Sequence, residues 1–519
     1  MDKIKYFKRR QFALGPKYFE FVEWRRVEVA KDLLLTIHPD LPVIKVGEAG
    51  KSLTVLGFMI DPYAHKLREE EILKRMLDGF ENINDVVNQI EALTGRFVLI
   101  VEFKDDVFLF HDAVALRQVQ YCRDKEGYTW CASQAETLAE VLGFSLDEEV
   151  LDFRNLPVFQ GKSEFWLLNN RTPYRQVLNL LPNHYLDLRR ATAFRYWPTQ
   201  GCIPQLTAEK SISLCTPILV NSIKVASERF DLRMGISAGI DSRKSLAATK
   251  HCSDKIYYFS HGTSEDSLEI SDVTIPARLL PKLGLKHHAL GLLPMSEEFR
   301  HLFQVSSTWA REKKGKNAFT LLTHFGPDST ILNSNISEVA QCIYWLPKSK
   351  IDGEGLAIIS GLCHPFAISE FQKWLDGAKP ACEAAGLNVL ALFFLEQRMG
   401  RWATAAFSEY DIAHETFNPY NNRRLHCLML GVEERHRRDR MWNVSLKHIK
   451  SMWPEVLADP VNPQDEWRAK VQQFIRRFIV HRTIATWLPL YPWLRYQKKR
   501  RRFEKQKKWF NEEGNDTSS

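Results

Sequence analysis

The chain has 519 residues, 45% hydrophobic and 26% charged, enough for two or three folded domains of ordinary globular composition. No apolar run is long enough to span a bilayer, and the nine cysteines are scattered without a Cys-x-x-Cys pair, which argues against both a zinc and a disulfide framework. The formal net charge of +8 is local: nine of residues 495–508 are Lys or Arg, opposed only by Glu504, so the body is near neutral and nucleic acid is not an expected partner.

The charged start Met1-Asp2-Lys3-Ile4-Lys5 leads into no apolar segment, so a secretory leader is not expected and a cytoplasmic location is. Residues 1–200 hold short alternating or β-branched runs, such as Ser52–Leu56 and Arg96–Val101. Asp105-Asp106 reads as a hairpin turn between two of them, and the zone reads as a strand-rich α+β domain. Residues 207–485 alternate between strands and helices. Strands are expected at Leu232–Ile236, Lys255–Phe259 and Thr330–Asn333, with helices following near Lys244–Lys250, Leu268–Leu283 and Ser337–Tyr344. Such alternation predicts an α/β fold with a parallel sheet covered by helices. The stretch from Ile368 to Met429 reads mainly as helices. Residues 486–519 form a basic, aromatic-flanked tail behind the helix breakers Pro489 and Pro492, with a polar end, Asn511–Ser519, expected to be disordered.

The most informative segment is Ser237-Ala238-Gly239-Ile240-Asp241-Ser242. An apolar strand ends there in small residues and passes into a helix, so backbone N–H groups and a helix N-terminus converge where an anion is favoured. Small residues permit the close approach of a ligand to the backbone. Asp241 would repel a bare phosphate, and makes sense with Mg2+ between the two. A tight strand–helix turn with an Asp or Ser cap would use the same residues. The loop is not a Walker A motif, because Gly-x-x-x-x-Gly-Lys-Ser/Thr is missing.

With its companions, the loop resembles the pyrophosphate loop of the asparagine synthetase superfamily, Ser-Gly-Gly-x-Asp-Ser. The family's next landmarks are matched by Tyr257-Tyr258-Phe259-Ser260, by Ser271–Arg278 with Asp272, and by Gly284-Leu285-Lys286-His287-His288. Later ones resemble Arg398-Met399-Gly400-Arg401 and Glu415–Arg423. In the first zone, Leu93–Phe97, His111-Asp112, Leu116–Tyr121, Leu181–Leu186 and Tyr196-Trp197 resemble the glutaminase domain of the same family. The resemblance implies a degenerate Ntn-type α+β sandwich, then a parallel-sheet adenine-nucleotide alpha-hydrolase-like (PP-loop) domain with C-terminal helices. It implies an ATP-dependent, AMP-forming carbon–nitrogen ligase. ATP would lie over Ser237, Ala238, Gly239, Ile240, Asp241, Ser242, Ser260 and Asn333. Mg2+ would be held by Asp241 and Glu338, and Asp241, Glu338 and Glu415 would serve catalysis. The acyl substrate would be a small-molecule, glycan or peptide carboxylate, and the acceptor an amine or ammonia.

The chain departs from the pattern at three places. Asp2 stands where the family has a nucleophilic cysteine, and a carboxylate does not replace a thiolate, so glutamine hydrolysis is not expected. Within Ile331–Val339, Ser337 takes the place of a magnesium-binding Asp, leaving Glu338 to hold the metal, cap a helix or do neither. After Trp453-Pro454-Glu455, the segment Ala458–Pro463 lacks the family's lysine, for which Lys447 and Lys450 are the nearest substitutes. His287 and His288, adjacent on a strand, point to opposite faces and do not share a metal. Arg435–Arg440 reads as a solvated cluster or an anion contact, and Arg423 is a candidate for phosphate or substrate contact. The tail, through residues 495–508, reads as a solvated extension or as a contact with an anionic membrane surface, which would place the protein peripherally at the inner face.

Overall fold

The computed structural model describes residues 2–48, 50–156, 159, 165–262, 264, 268–438, 443–463 and 490–513. In the first half, β1 (Phe12–Gly15), β2 (Arg25–Ala30), β3 (Leu33–Ile37), β8 (Gln120–Arg123), β9 (Thr129–Ala132) and β10 (Leu178–Asn179) form one antiparallel sheet in the order β10-β8-β9-β1-β3-β2. A second has the order β12-β11-β7-β6-β5-β4. Its strands are β4 (Val43–Glu48), β5 (Lys51–Ile60), β6 (Thr94–Phe103), β7 (Asp106–His111), β11 (His184–Asp187) and β12 (Thr192–Arg195).

The alternation along β6 explains how the sheets stack. Val98 and Ile100 point inward to meet Leu14, Leu35 and Ile37 of the other sheet, while Leu99 and Val101 point outward onto Ile72, Leu73 and Met76 of the Glu69–Asp78 helix. The opposite outer face, with Trp130 and Ala132, is covered by Ala135 and Leu138 of the Ala135–Leu142 helix. The result is a four-layer helix–sheet–sheet–helix stack, in which each fully buried Leu, Ile or Val contributes about 1.5–3 kcal/mol. Gly57 has φ +97°, and a Cβ there would lie 2.2 Å from the Arg96 carbonyl, so only glycine allows β5 and β6 this approach.

The second half carries a five-stranded, all-parallel sheet with the order β15-β14-β13-β16-β17. Its strands are β13 (Leu232–Gly235), β14 (Tyr257–His261), β15 (His288–Leu290), β16 (Thr330–Leu332) and β17 (Glu415–Phe417). The chain builds outward from β13 in one direction and then, with β16, in the other. That reversal opens a crevice at the C-terminal ends of β13 and β16, where ligands bind in open α/β sheets.

The expected strands and the first two expected helices are present, shifted by a few residues; the Ile240–Ala248 and Ser271–Lys282 helices follow β13 and β14. Three expectations change. The helix near Ser337–Tyr344 is only a 3-10 turn, Asn335–Ala340. The Ile368–Met429 stretch contains β17, too short to show a period in sequence. The tail is a helix, Leu490–Glu513, with Pro492 inside it, so Asn511–Glu513 are helical rather than disordered; Pro489 and residues 514–519 lie outside the described residues. No described helix is long and apolar enough to cross a membrane.

The two halves join through buried charge. Arg96 and Arg117 bond Asp411 and Glu415 across the seam, including Arg96 Nη2 to Asp411 Oδ2 at 2.8 Å and Arg117 Nη2 to Glu415 Oε2 at 2.7 Å. Glu396 accepts from Arg195, from Asn183 Nδ2 at 2.7 Å and from Trp374 Nε1 at 2.8 Å. Arg9 and Arg10 reach the carbonyls of Pro327, Asp411, Ile412 and Ala413. A Cβ on Gly400 would sit 2.3 Å from the ring of Pro182, so the Gly400 backbone packs directly against that ring of the first half.

Candidate functional site

The Ser237–Ser242 loop lies in the crevice at the end of β13. Gly239 is the N-cap of the Ile240–Ala248 helix, no side chain caps that helix, and its ladder begins at Arg243 N to Gly239 O, 3.2 Å. The N–H groups of Ile240, Asp241 and Ser242 are therefore the orphan donors of the first turn. Three donors and the positive end of the helix dipole at one point suit an oxyanion. The loop itself is held in shape from within. Ser242 Oγ accepts from Ser237 N at 3.2 Å and Ser237 Oγ from Gly239 N at 3.1 Å, while Ala238 N donates to Asp272 Oδ1 at 3.0 Å. Ser237, Ala238 and Gly239 thus shape the turn, and the next three amides remain to meet a ligand.

Asp241 faces the turn that follows β16. Its Oδ1 accepts the hydroxyl proton of Ser337, which is fully buried. Asp241 and Ser337 are thus adjacent, and the partner of Asp241 is a hydroxyl rather than a second carboxylate. Lys244, one helical turn beyond Asp241, is also buried and donates to the Ser337 carbonyl at 3.2 Å. Burial lowers its pKa, opposed by the nearby carboxylates of Asp241 and Glu338. Glu338 is half-buried on the same turn. Among the described residues, no group of three or more His, Cys, Asp or Glu is placed to hold a metal ion. Asp241 with a phosphate group still suffices for Mg2+, which takes one or two carboxylates and completes its shell with phosphates and water.

Ser260 and Asn333 border the crevice but are used locally. Ser260 Oγ donates to Ile236 O at 2.5 Å and meets His287 Nε2 at 3.0 Å. Asn333 N donates to Phe417 O at 2.9 Å, and its Oδ1 accepts from Asn335 N at 3.0 Å. His288 stacks on Tyr257 with ring centroids 4.1 Å apart, so the two histidines do separate jobs.

Several expected roles change. Glu415 pairs with Thr330, which pairs with Leu232, and so lies at the N-terminal end of the sheet, about 10 Å of strand from the loop end of β13. Its carboxylate belongs to the seam, not to the crevice. Burial raises its pKa, but Arg117 and Arg96 outweigh burial and hold it well below the usual range. Arg423 faces the first half, where it donates to Ala113 O and lies 4.4 Å from the Trp197 ring centroid; neighbouring Asn421 Nδ2 bonds Gly95 O at 2.7 Å and Asp112 Oδ1 at 2.8 Å. These residues dock domains rather than phosphates. Lys447 pairs with Glu209 at 2.7 Å on the surface, so it does not replace the family's lysine. Arg435 and Arg438 pair with Glu433 and Glu434; Asp439 and Arg440 lie outside the described residues.

Two features escaped the sequence reading. Lys244 was legible only as a helical neighbour of Asp241 at i+3. The Ala458–Pro463 segment, noted for lacking lysine, folds over the loop: Asn462 N donates to Ala238 O at 2.9 Å, and Arg243 reaches Val456 O at 2.7 Å and Pro460 O at 3.2 Å. At the start of the chain, Asp2 caps a short helix, Lys3–Tyr6, and β1 begins only at Phe12. The residue at the head of β1 is Gln11, whose amide donates to Ser306 O at 2.5 Å.

No family model matches this chain, and no curated protein does. Among solved structures, the allosteric regulatory enzyme of purine biosynthesis matches at 10% identity, covering 58% of this chain and 75% of its own, with a TM-score of 0.24. Glutamine phosphoribosylpyrophosphate amidotransferase from B. subtilis, complexed with ADP and GMP, matches at 9% identity, covering 65% and 74%, with a TM-score of 0.23. Superpositions this loose carry no weight for substrate or chemistry.

Proposed function

We propose that the second half binds ATP over Ser237–Ser242 and activates a carboxylate as an acyl-adenylate, which an amine or ammonia then converts to an amide. The observation that carries this reading is the uncapped first turn after β13, in the crevice of the parallel sheet, with Asp241 beside it. The amides of Ile240, Asp241 and Ser242 hold the departing pyrophosphate, and Asp272 keeps the loop open by taking the Ala238 amide. Asp241, with the phosphates, is the residue that would hold Mg2+, which when bound offsets the negative charge of the triphosphate. Ser260 and Asn333 form the walls of the crevice.

The first half has the layering of an Ntn-type glutaminase domain but acts as a docking partner without glutaminase activity. Gln11 and Phe12 stand at the head of β1, and neither is a nucleophile. The acyl substrate is of small-molecule, peptide or glycan class. ATP–pyrophosphate exchange over a panel of carboxylic acids tests the proposal: exchange with at least one acid, abolished by Asp241→Asn, is expected. Absence of exchange with every acid overturns it.

A second reading, a nucleotide-binding scaffold without catalysis, is favoured by one observation: Asn462 closes on Ala238 where the family's lysine loop would lie. ATP binding without exchange selects it.

We further propose a peripheral placement at an anionic membrane surface through the tail. Tyr496 and Phe503 are buried, and Lys499 donates to Ile359 O, so the helix is anchored along one face. Arg495, Lys498, Arg502 and Lys505 are exposed and repeat at helical spacing on another, near exposed Trp493 and Leu494. Each basic residue contributes about 1 kcal/mol near an anionic surface. Sedimentation with phosphatidylserine vesicles at low salt is expected, and loss of binding as salt rises. No sedimentation of the intact protein removes this placement.

A further inference from the structure

A cavity of about 70 Å3 lies where the two halves meet, away from the nucleotide loop. Gln120 comes from β8, Trp166 from the connection between β9 and β10, Trp309 and Arg311 from the connection between two second-half helices, and Arg401 and Glu409 from the helical stretch after residue 394. The charges in its wall do not cancel. Arg311 and Glu409 satisfy each other, with Nε to Oε2 at 2.9 Å and Nη2 to Oε2 at 2.5 Å. Among the described residues Arg401 has no carboxylate partner. It is 7% exposed and bonds the carbonyls of Leu167, at 3.1 Å through Nε, and of Arg171, through Nη2. Burial pushes its pKa down to about 9.

An uncompensated buried cation is costly, and Arg96, Arg117 and Arg195 of the seam each meet a carboxylate where Arg401 meets carbonyls. Two further polar atoms in the wall are unpartnered: Trp166 Nε1, a donor, and Gln120 Oε1, an acceptor on a residue only 5% exposed. Arg401 supplies a cation and Trp166 an unpartnered indole N–H, the two donors the wall offers to an anion. Gln120 presents an acceptor to something that donates. The volume is several times the roughly 10–15 Å3 that a single water needs, so a small organic ion can enter.

We propose that this cavity binds a short carboxylate carrying a hydrogen-bond donor, held by Arg401, Trp166 and Gln120. The guanidinium supplies the missing counter-charge, and the indole N–H bonds a carboxylate oxygen. The amide oxygen of Gln120 selects a hydroxyl or amino group on the same ligand. The site draws side chains from both halves, so its occupancy couples them. It is independent of the nucleotide reading.

The test is titration of the full chain followed by tryptophan fluorescence, since Trp166 and Trp309 line the cavity. Acetate, propionate, glycolate, β-alanine and inorganic phosphate serve as probes. Saturable binding of glycolate or β-alanine is expected, tighter than acetate or propionate. Arg401→Gln is expected to weaken it by about tenfold or more. Arg401 also anchors two carbonyls, so Gln120→Met provides the variant that removes no bond of the free protein. It is expected to cost at least about fivefold, and only for the ligands that carry a donor. Three results overturn the proposal: no saturable response to any carboxylate, binding of phosphate alone, or unchanged affinity in Gln120→Met.

Discussion

At the seam, Arg96 and Arg117 meet Asp411 and Glu415, and Arg195 meets Glu396, with Asn183 and Trp374 taking up the remaining valences. At the Ser237–Ser242 loop, the first turn of a helix keeps three amides without partners, and Asp241 is met by a hydroxyl rather than by an arginine. Both regions are polar and largely buried. In the first, charge is closed on itself, which fixes the halves in one arrangement. In the second, the helix has no side-chain cap and its first-turn amides stay open donors. The difference teaches that Glu415, however well placed in a motif, belongs with the group whose charges its own carboxylate completes.

The largest effect expected from breaking this contrast is at the seam. Arg96→Met leaves Asp411 and Glu415 buried with fewer partners and is expected to cost about 3–5 kcal/mol in denaturant unfolding. A change below 1 kcal/mol would show that Arg117 alone closes the network. Next, Asp241→Asn is expected to reduce pyrophosphate exchange about 10²–10³-fold, with the urea midpoint little changed. A loss of fold with the loss of exchange would move Asp241 to the structural side of the comparison. Ser337→Ala is expected to cost about 1.5–3 kcal/mol, because it removes a donor to a charged group. Mg-ATP is expected to recover part of that loss if the crevice binds it, read as a shift in melting temperature.

The smallest effect is a pH dependence. The Glu396 and Glu415 carboxyls are held below their ordinary values by Arg195 and by Arg117 and Arg96, which outweigh burial. Their contribution is therefore present above the unfolded carboxylate pKa of about 4.3 and is lost as pH falls below it toward the folded values. Stability measured from pH 7 downward is expected to hold until about pH 4.3 and then fall. A decline already complete by pH 5 would assign acid sensitivity to other groups.

The strands β13, β14 and β16 and the helices after β13 and β14 were legible from local pattern, because each is bounded by a change of periodicity within a few residues. The Ser237–Ser242 loop was legible as a strand–helix turn, a feature that serves equally as a cap or as an anion site. Sequence missed what is long-range. β17 is three residues long, and only its pairing with β16 makes it a strand. Arg423 and Asn421 follow a motif expected near the crevice, yet their side chains face Ala113, Gly95 and Asp112, more than 300 positions away in the chain. Ser337 meets Asp241 across 96 positions.

The strand-rich α+β character of the first half and the strand–loop–helix of Ser237–Ser242 follow from sequence alone, because periodicity and small residues are local properties. Which charges are closed and which are open follows only from long-range packing. Arg96, Arg401 and Arg423 are alike as letters. What separates them is the partner that folding delivers: two carboxylates, two carbonyls beside a cavity, or a neighbouring domain.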